Sequence, residues 1–284
     1  MDIGNSYIIS RLTSRLGNVM FEYATIRFLS EVYSKKFLFF SNEPIHYTYK
    51  IWDIDKYLTN DVEMYANAHR RFNVIDMYPY CKQIHYLNLF CLLPNESYVI
   101  KGYFQSWKNF TKDYCLKLFK FPNKIEEYVY KTYGNLDKYI SINVRRGDYL
   151  QCAPSFVLSK EEYLYPIEKF NLLNESNNVI ITTEPNAYEW CRESFPKDFI
   201  IADKHNSDNS LSETEKLLID LYIASKCKDN IISNGTFSWW GAYLNQNKDR
   251  RVFYYDPWLN NNNHIIPTNH KWIGINRETK EVVK

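Results

Sequence analysis

The chain has no apolar run of about 18 residues, the length a membrane-spanning helix needs. Its opening residues also lack the apolar core of about 7 to 15 residues that marks a secretory leader. The expectation is a cytoplasmic protein without a transmembrane segment, with peripheral attachment to the inner face of a membrane left open. Charge of one sign is not in excess: Lys+Arg 35 against Asp+Glu 33 leaves +2. That gives no global electrostatic reason to expect nucleic acid as a partner, so any anionic ligand must be held by a local cluster. The six cysteines form no C-x-x-C pair and have no His-rich spacing, which gives a disulfide framework or zinc knuckle little support in a chain of this size. Cys81, Cys91, Cys115, Cys152, Cys191 and Cys227 therefore read as reduced, partly buried thiols. No repeat of about 20 to 50 residues is present, so solenoids and propellers are out, and the only low-complexity tract is Asn260 to Asn263. Aromatics are plentiful, with 25 Tyr, 17 Phe and 7 Trp, enough to pack a large core and to stack on sugars or bases.

A chain of 284 residues allows one large or two medium domains. Ser6 to Leu12 reads as a buried strand, followed by a turn through Asn18 and a helix with Met20, Phe21, Ala24 and Phe28 on one face. Between Phe37 and Tyr98, short apolar runs alternate with polar clusters and give no assignment. Tyr98 to Trp107 reads as extended; Lys138 to Val144, Asn178 to Thr182 and Phe199 to Ala202 read as strands. Ser210 and Glu213 have capping-box spacing ahead of the helical stripe Leu217, Leu218, Leu221 and Ala224. Asn230 to Ser233 then reads as strand, Phe237 to Asn245 as helix and Arg251 to Tyr255 as strand. Strands alternating with helices predict an α/β fold with parallel sheets and crossover helices. The expected division is into two Rossmann-like domains, 1–135 and 136–284.

Two strings could carry chemistry. Asn143-Val144-Arg145-Arg146-Gly147-Asp148-Tyr149 falls at the carboxyl end of a strand, where doubly wound sheets hold ligands. Paired arginines before a glycine turn place a bidentate cation there, suited to a diphosphate. The same residues could instead form a surface ion pair at a tight turn. Asn234-Gly235-Thr236-Phe237-Ser238-Trp239-Trp240 lies between a strand and a helix, and hydroxyls with free N–H groups at a helix start suit an anion. Thr236 and Ser238 could equally be plain caps, and Trp239 and Trp240 core.

Together with Arg15-Leu16-Gly17-Asn18-Val19-Met20-Phe21-Glu22-Tyr23-Ala24 and Gly102-Tyr103-Phe104-Gln105-Ser106, these strings resemble, in order and nearly end to end, the motifs of glycosyltransferase family 11, the α-1,2-fucosyltransferases. The resemblance implies a GT-B-like arrangement, with residues 1–135 on the acceptor side and 136–284 binding the donor. It further implies GDP-β-L-fucose as donor, a galactose-terminated glycan as acceptor, inversion at the anomeric carbon and no metal or other cofactor. It places Asn143, Arg145, Arg146, Asn234, Thr236, Phe237 and Ser238 at the donor, and Gly17 and Asn18 in an N-terminal loop. The departures are Asn143 for the motif histidine, Gly235 for serine, Glu22 for glutamine, and Thr183-Glu184 for an acidic pair.

A guanine base presents two adjacent donors, and Glu184, just past a strand, is the candidate carboxylate to accept both. Without a metal, Arg145 and the helix start must neutralise the leaving diphosphate. Asp148 and Glu22 are the acids available as general base, unless Asp148 only orients the arginines and Glu22 lies on a helix surface. Asp53-Ile54-Asp55 matches a metal-holding D-x-D string, but three residues are a weak signal and read better as solvated or capping acids. Two other readings stay open: a different GDP-sugar as donor, or a non-catalytic sugar-binding protein on the same scaffold.

Overall fold

The structure, a computed structural model, describes residues 6–41, 47–76, 92–174, 178–258 and 272–283. Cys81, Cys91 and the Asn260–Asn263 tract lie outside the described residues. The chain divides into two compact units, the first running to Lys120 and the second beginning at Phe121.

In the first unit, β1 (Tyr7–Arg11), α1 (Leu16–Val32), β2 (Lys36–Phe40), β3 (Leu58–Thr59), α2 (Val62–Arg71), β4 (Asn73–Asp76), β5 (Tyr98–Lys101) and α3 (Lys112–Leu118) follow in chain order. The strands form a parallel sheet in the order β3-β2-β1-β5-β4. β1 is central, and both Ile8 and Ile9 are buried, the continuous apolar character of a parallel strand covered on two faces. Ile9 sits opposite Leu38 and Val99. The extended stretch expected through Trp107 ends as a strand at Lys101; Phe104 has φ 50 and a 3-10 turn covers Trp107–Asn109.

The second unit contains α4 (Asn123–Tyr133), β6 (Tyr139–Val144), α5 (Tyr149–Cys152), α6 (Lys160–Lys169), β7 (Asn178–Thr183), α7 (Tyr188–Ser194) and β8 (Ile200–Ile201). It continues with α8 (Glu213–Lys226), β9 (Asp229–Ile232), α9 (Thr236–Leu244), β10 (Val252–Asp256), β11 (Ile273–Asn276) and β12 (Val282–Val283). The sheet order is β12-β11-β10-β9-β6-β7-β8, parallel except where β12 pairs with β11. Without β12 this is the doubly wound order in which direction reverses between the first and fourth strands, here β6 and β9. Ile140, Ile142, Val179, Ile181, Ile231 and Phe253 form the floor of its core.

The units part fifteen residues before the expected 135/136 boundary, and the cause is packing: α4 lies on α8. The Phe121 ring meets Tyr222 edge-on at 5.1 Å, and Lys124 Nζ reaches Glu215 at 2.7 Å. The capping box is likewise displaced. Ser212 and Glu215 make it, because the Ser210 amide and hydroxyl are both spent on Asp208 Oδ1. α8 and α9 touch so closely that a Cβ on Gly241 would lie 2.6 Å from the Ala224 Cβ. Trp239 and Trp240 are fully buried and belong to the core. Cys115, Cys191 and Cys227 are buried free thiols and Cys152 an exposed one. Among the described residues no helix is long and apolar enough to cross a membrane.

Candidate active site at the strand switch point

The two strings singled out in the second unit emerge from adjacent strands. β6 runs into Arg145–Asp148 and β9 into Ser233–Gly235 and α9, so they flank the switch point from either side. Crevices at the carboxyl ends of strands, where winding reverses, are where such sheets take ligands.

Arg145 is fixed from several directions. Its backbone N–H donates to Tyr163 Oη at 3.2 Å, and its guanidinium lies over the Tyr149 ring at 4.5 Å. One terminal nitrogen pairs with Asp148 and the other with Glu184. Gly147, at φ +25, is needed between them: a Cβ there would meet Glu184 Oε1 at 2.8 Å and Arg145 Nη1 at 3.0 Å. Arg146 turns the other way, its guanidinium over Trp190 at 4.0 Å. The Glu184 carboxylate does not stand free for a base. It faces Arg145, and its second oxygen accepts from the Arg146 N–H at 3.4 Å, so its first role is to orient the arginine.

At the other wall, α9 starts at Gly235, which has extended φ/ψ and supplies no side-chain cap. Gly235, Thr236 and Phe237 are half-buried, whereas Ser238 and Asn234 are buried. The Ser238 hydroxyl is turned inward and donates to the Ser233 and Gly235 carbonyls, both at 2.8 Å. It braces the first turn, its hydroxyl engaged by backbone carbonyls and not turned outward as the expected role would have it. Asn143 is corrected in the same way: Nδ2 donates to Thr182 Oγ1 at 3.0 Å and Oδ1 accepts from Ser233 Oγ at 3.0 Å. Asn234 Oδ1 is buried with no hydrogen-bond partner.

In the first unit, Gly17 and Asn18 lie in the first turn of α1, at the switch between β1 and β5. Gln105 Nε2 donates to Asn18 Oδ1 at 3.0 Å, and Asn18 Nδ2 to Ser14 Oγ at 3.0 Å, joining two of the motif segments. Glu22 is not on the helix surface: it is wholly buried, and its two oxygens accept from the Thr13 N–H and hydroxyl at 2.9 and 2.8 Å. Burial holds its carboxyl well above the ordinary range, outweighing the Thr13 bonds and the nearby Arg11 charge. Asp53 is exposed and pairs with Lys56 at 3.0 Å.

Tyr163, Tyr149, Thr182, Ser233 and Gln105 thus belong to the two sites although sequence reasoning assigned them no role. Tyr149 and Gln105 had a signal, since both lie inside motif strings. Tyr163 reaches the site from α6 and Thr182 from β7, both only through the tertiary fold.

A doubly wound unit with an anchored arginine and a helix start at adjacent strand ends defines the class of α/β folds whose switch-point crevice suits an anionic ligand. The chain belongs to glycosyltransferase family 11, whose model, Glycosyl transferase family 11, matches residues 6–276, and its fold is of the GT-B kind. Among its relatives, alpha-1,2-colitosyltransferase of Escherichia coli is 28% identical over 49% of this chain and 48% of that protein. Galactoside alpha-(1,2)-fucosyltransferase 1 of Bos taurus is 30% identical over 40% of this chain and 31% of that protein. The chain spans at most about half the length of these curated relatives. The solved fucosyltransferase NodZ from Bradyrhizobium shares the fold at a TM-score of 0.51 and 13% identity, over 84% of this chain and 93% of that one.

Proposed function

We propose that the protein moves L-fucose from GDP-β-L-fucose to the 2-hydroxyl of a terminal galactoside, with inversion and without a metal. The observation that carries this reading is the Arg145 fork at the end of β6, beside the start of α9 on the neighbouring strand. In the displacement, the acceptor oxygen bonds to the anomeric carbon as the bond from that carbon to the diphosphate oxygen breaks. Charge grows on GDP, and preorganised donors at the leaving group are the main means of lowering that barrier.

The diphosphate competes with the carboxylates for Arg145. Asp148, 42% exposed, is the one to yield, while Glu184, 26% exposed, keeps the fork oriented. Asp148 then becomes available to take the acceptor proton. Glu22, with both oxygens on Thr13, shapes the turn between β1 and α1 and is not the base. The first unit serves the acceptor, the second the donor.

A second donor is favoured by one observation, the similarity to a colitosyltransferase: nothing in the diphosphate contacts specifies the hexose. Incubation with GDP-fucose, other GDP-sugars and a panel of galactosides, with the linkage assigned by NMR, tests both readings. A fucosyl α-1,2 product is expected, with rates unaffected by EDTA. Activity abolished by EDTA and restored by Mn²⁺ would overturn the metal-free reading.

A further inference from the structure

We propose that Asn143 is the positioning residue of the site, acting through Ser233 on the first turn of α9. Its amide is placed to do this: β6 lies between β7 and β9, with Asn143 opposite both Thr182 and Ile232. The donor half of the amide holds Thr182, and the acceptor half holds the Ser233 hydroxyl. Ser233 is then a hub, because its carbonyl accepts both the Gly235 N–H at 2.8 Å and the Ser238 hydroxyl at 2.8 Å. One amide therefore links the ends of three strands to the turn that aims the leading N–H groups of α9. All of these side chains are at most 9% exposed, where a mismatched polar pair is costly and the link is correspondingly stiff. Gly235 adds no side-chain cap of its own, so this link bears on the orientation of the helix start, beside the core packing of Trp239 and Trp240.

The chemistry of the link sets the test. A neutral imidazole also has one donor and one acceptor nitrogen, so Asn143→His can replace both halves; once protonated it has two donors and loses the acceptor that Ser233 needs. Asn143→Ala loses both halves at every pH.

Hydrogen exchange on the free protein reads the positioning directly and does not depend on what the protein binds. For Asn143→Ala the Gly235 and Trp239 amides, which donate to the Ser233 and Gly235 carbonyls, are expected to exchange at least about tenfold faster, while those of β7 and β9 keep their protection. Ser233→Ala, which cuts the same link from its other end, is the second variant should Asn143→Ala fail to fold, and the same loosening is expected. Asn143→His is expected to protect the turn at pH 8 and to lose that protection at a pH below the free-imidazole value of about 6.5, because burial disfavours the charged ring, with the wild type as the control. GDP affinity, measured by calorimetry on the same variants, rests on the donor reading above and should fall about 10- to 100-fold for Asn143→Ala, recovering in Asn143→His at pH 8. An unaltered turn in both Asn143→Ala and Ser233→Ala, or loosening spread evenly over the sheet, overturns the proposal. Loosened turns in a protein that never binds GDP would overturn the donor reading and leave the positioning role standing.

Discussion

Replacing Arg145 by lysine keeps one positive charge and removes the planar fork. In the structure that fork serves two carboxylates at once, one on each terminal nitrogen, and lies flat over Tyr149 at 4.5 Å. A single ammonium can hold one carboxylate or one phosphate oxygen, but it cannot hold the pair in one plane. The cost to the fold is small, because Asp148 is 42% exposed and such a pair contributes at most about 1 kcal/mol. In a chain of this size that lowers the melting temperature by about 2–4 °C. The cost to the reaction is larger. Losing a preorganised donor at the leaving group typically reduces turnover by about 10² to 10³, or roughly 2.7–4 kcal/mol. Because negative charge grows on the leaving diphosphate between the bound donor and the transition state, turnover should fall further than affinity for the intact donor. GDP release with GDP-fucose and a galactoside, calorimetric binding of the intact donor and melting temperature, all on one preparation, distinguish the two costs. An Arg145→Lys variant that melts lower but turns over near the wild-type rate would show that Arg145 is a surface ion-pair residue and remove it from the leaving-group site.

Glu22→Gln should stabilise the protein at neutral pH. With its folded pKa raised, Glu22 is favourable in full below the unfolded value of about 4.3 and becomes a penalty as pH rises toward the folded value. The melting temperatures of variant and wild type should therefore converge near pH 4 and separate above it; parallel curves refute the assignment. Gly147→Ala places a methyl 2.8 Å from Glu184 Oε1 at a positive φ, a strain of about 1–3 kcal/mol, and should weaken GDP binding by disturbing the arginine fork. Unchanged GDP affinity would show that the turn adapts. Gly241→Ala overpacks the α8–α9 contact and should destabilise by about 1–3 kcal/mol in urea unfolding, and an unchanged midpoint would contradict the 2.6 Å approach.

Much of the second unit was legible because its strands are short, apolar and separated by helices, and because parallel sheets send every motif loop to the same edge. The strings around Arg145 and Thr236 could thus be assigned to one crevice before their distance was known. What the sequence could not show is which way a side chain turns. Ser238 and Asn143 lie in the right strings, yet both are consumed by neighbours in the sheet and the first helical turn. Glu184 was expected to face a base, but the glycine turn brings Arg145 onto it. The capping box expected at Ser210 and Glu213 forms two residues later, at Ser212 and Glu215, because Asp208 takes Ser210. The stretch from Phe37 to Tyr98 was opaque for a different reason: β3 has two residues, β4 four, and α2 buries only Ala68, too little periodic signal to read.

The strand order also dictates when the crevice can exist. Asn143 and Ser233 touch although they are 90 residues apart in sequence, and β7, β8 and their helices are made between them. During synthesis the arginine loop therefore emerges well before its counterpart, and the seam between β6 and β9 closes only after that excursion has folded back, a costly long-range step. A ligand that binds only the closed crevice would add about 2.7 kcal/mol to its stability at a hundredfold excess over the dissociation constant. A chain halted before Asp229 gains none of this, so a ligand of the crevice would also reward completion of the fold.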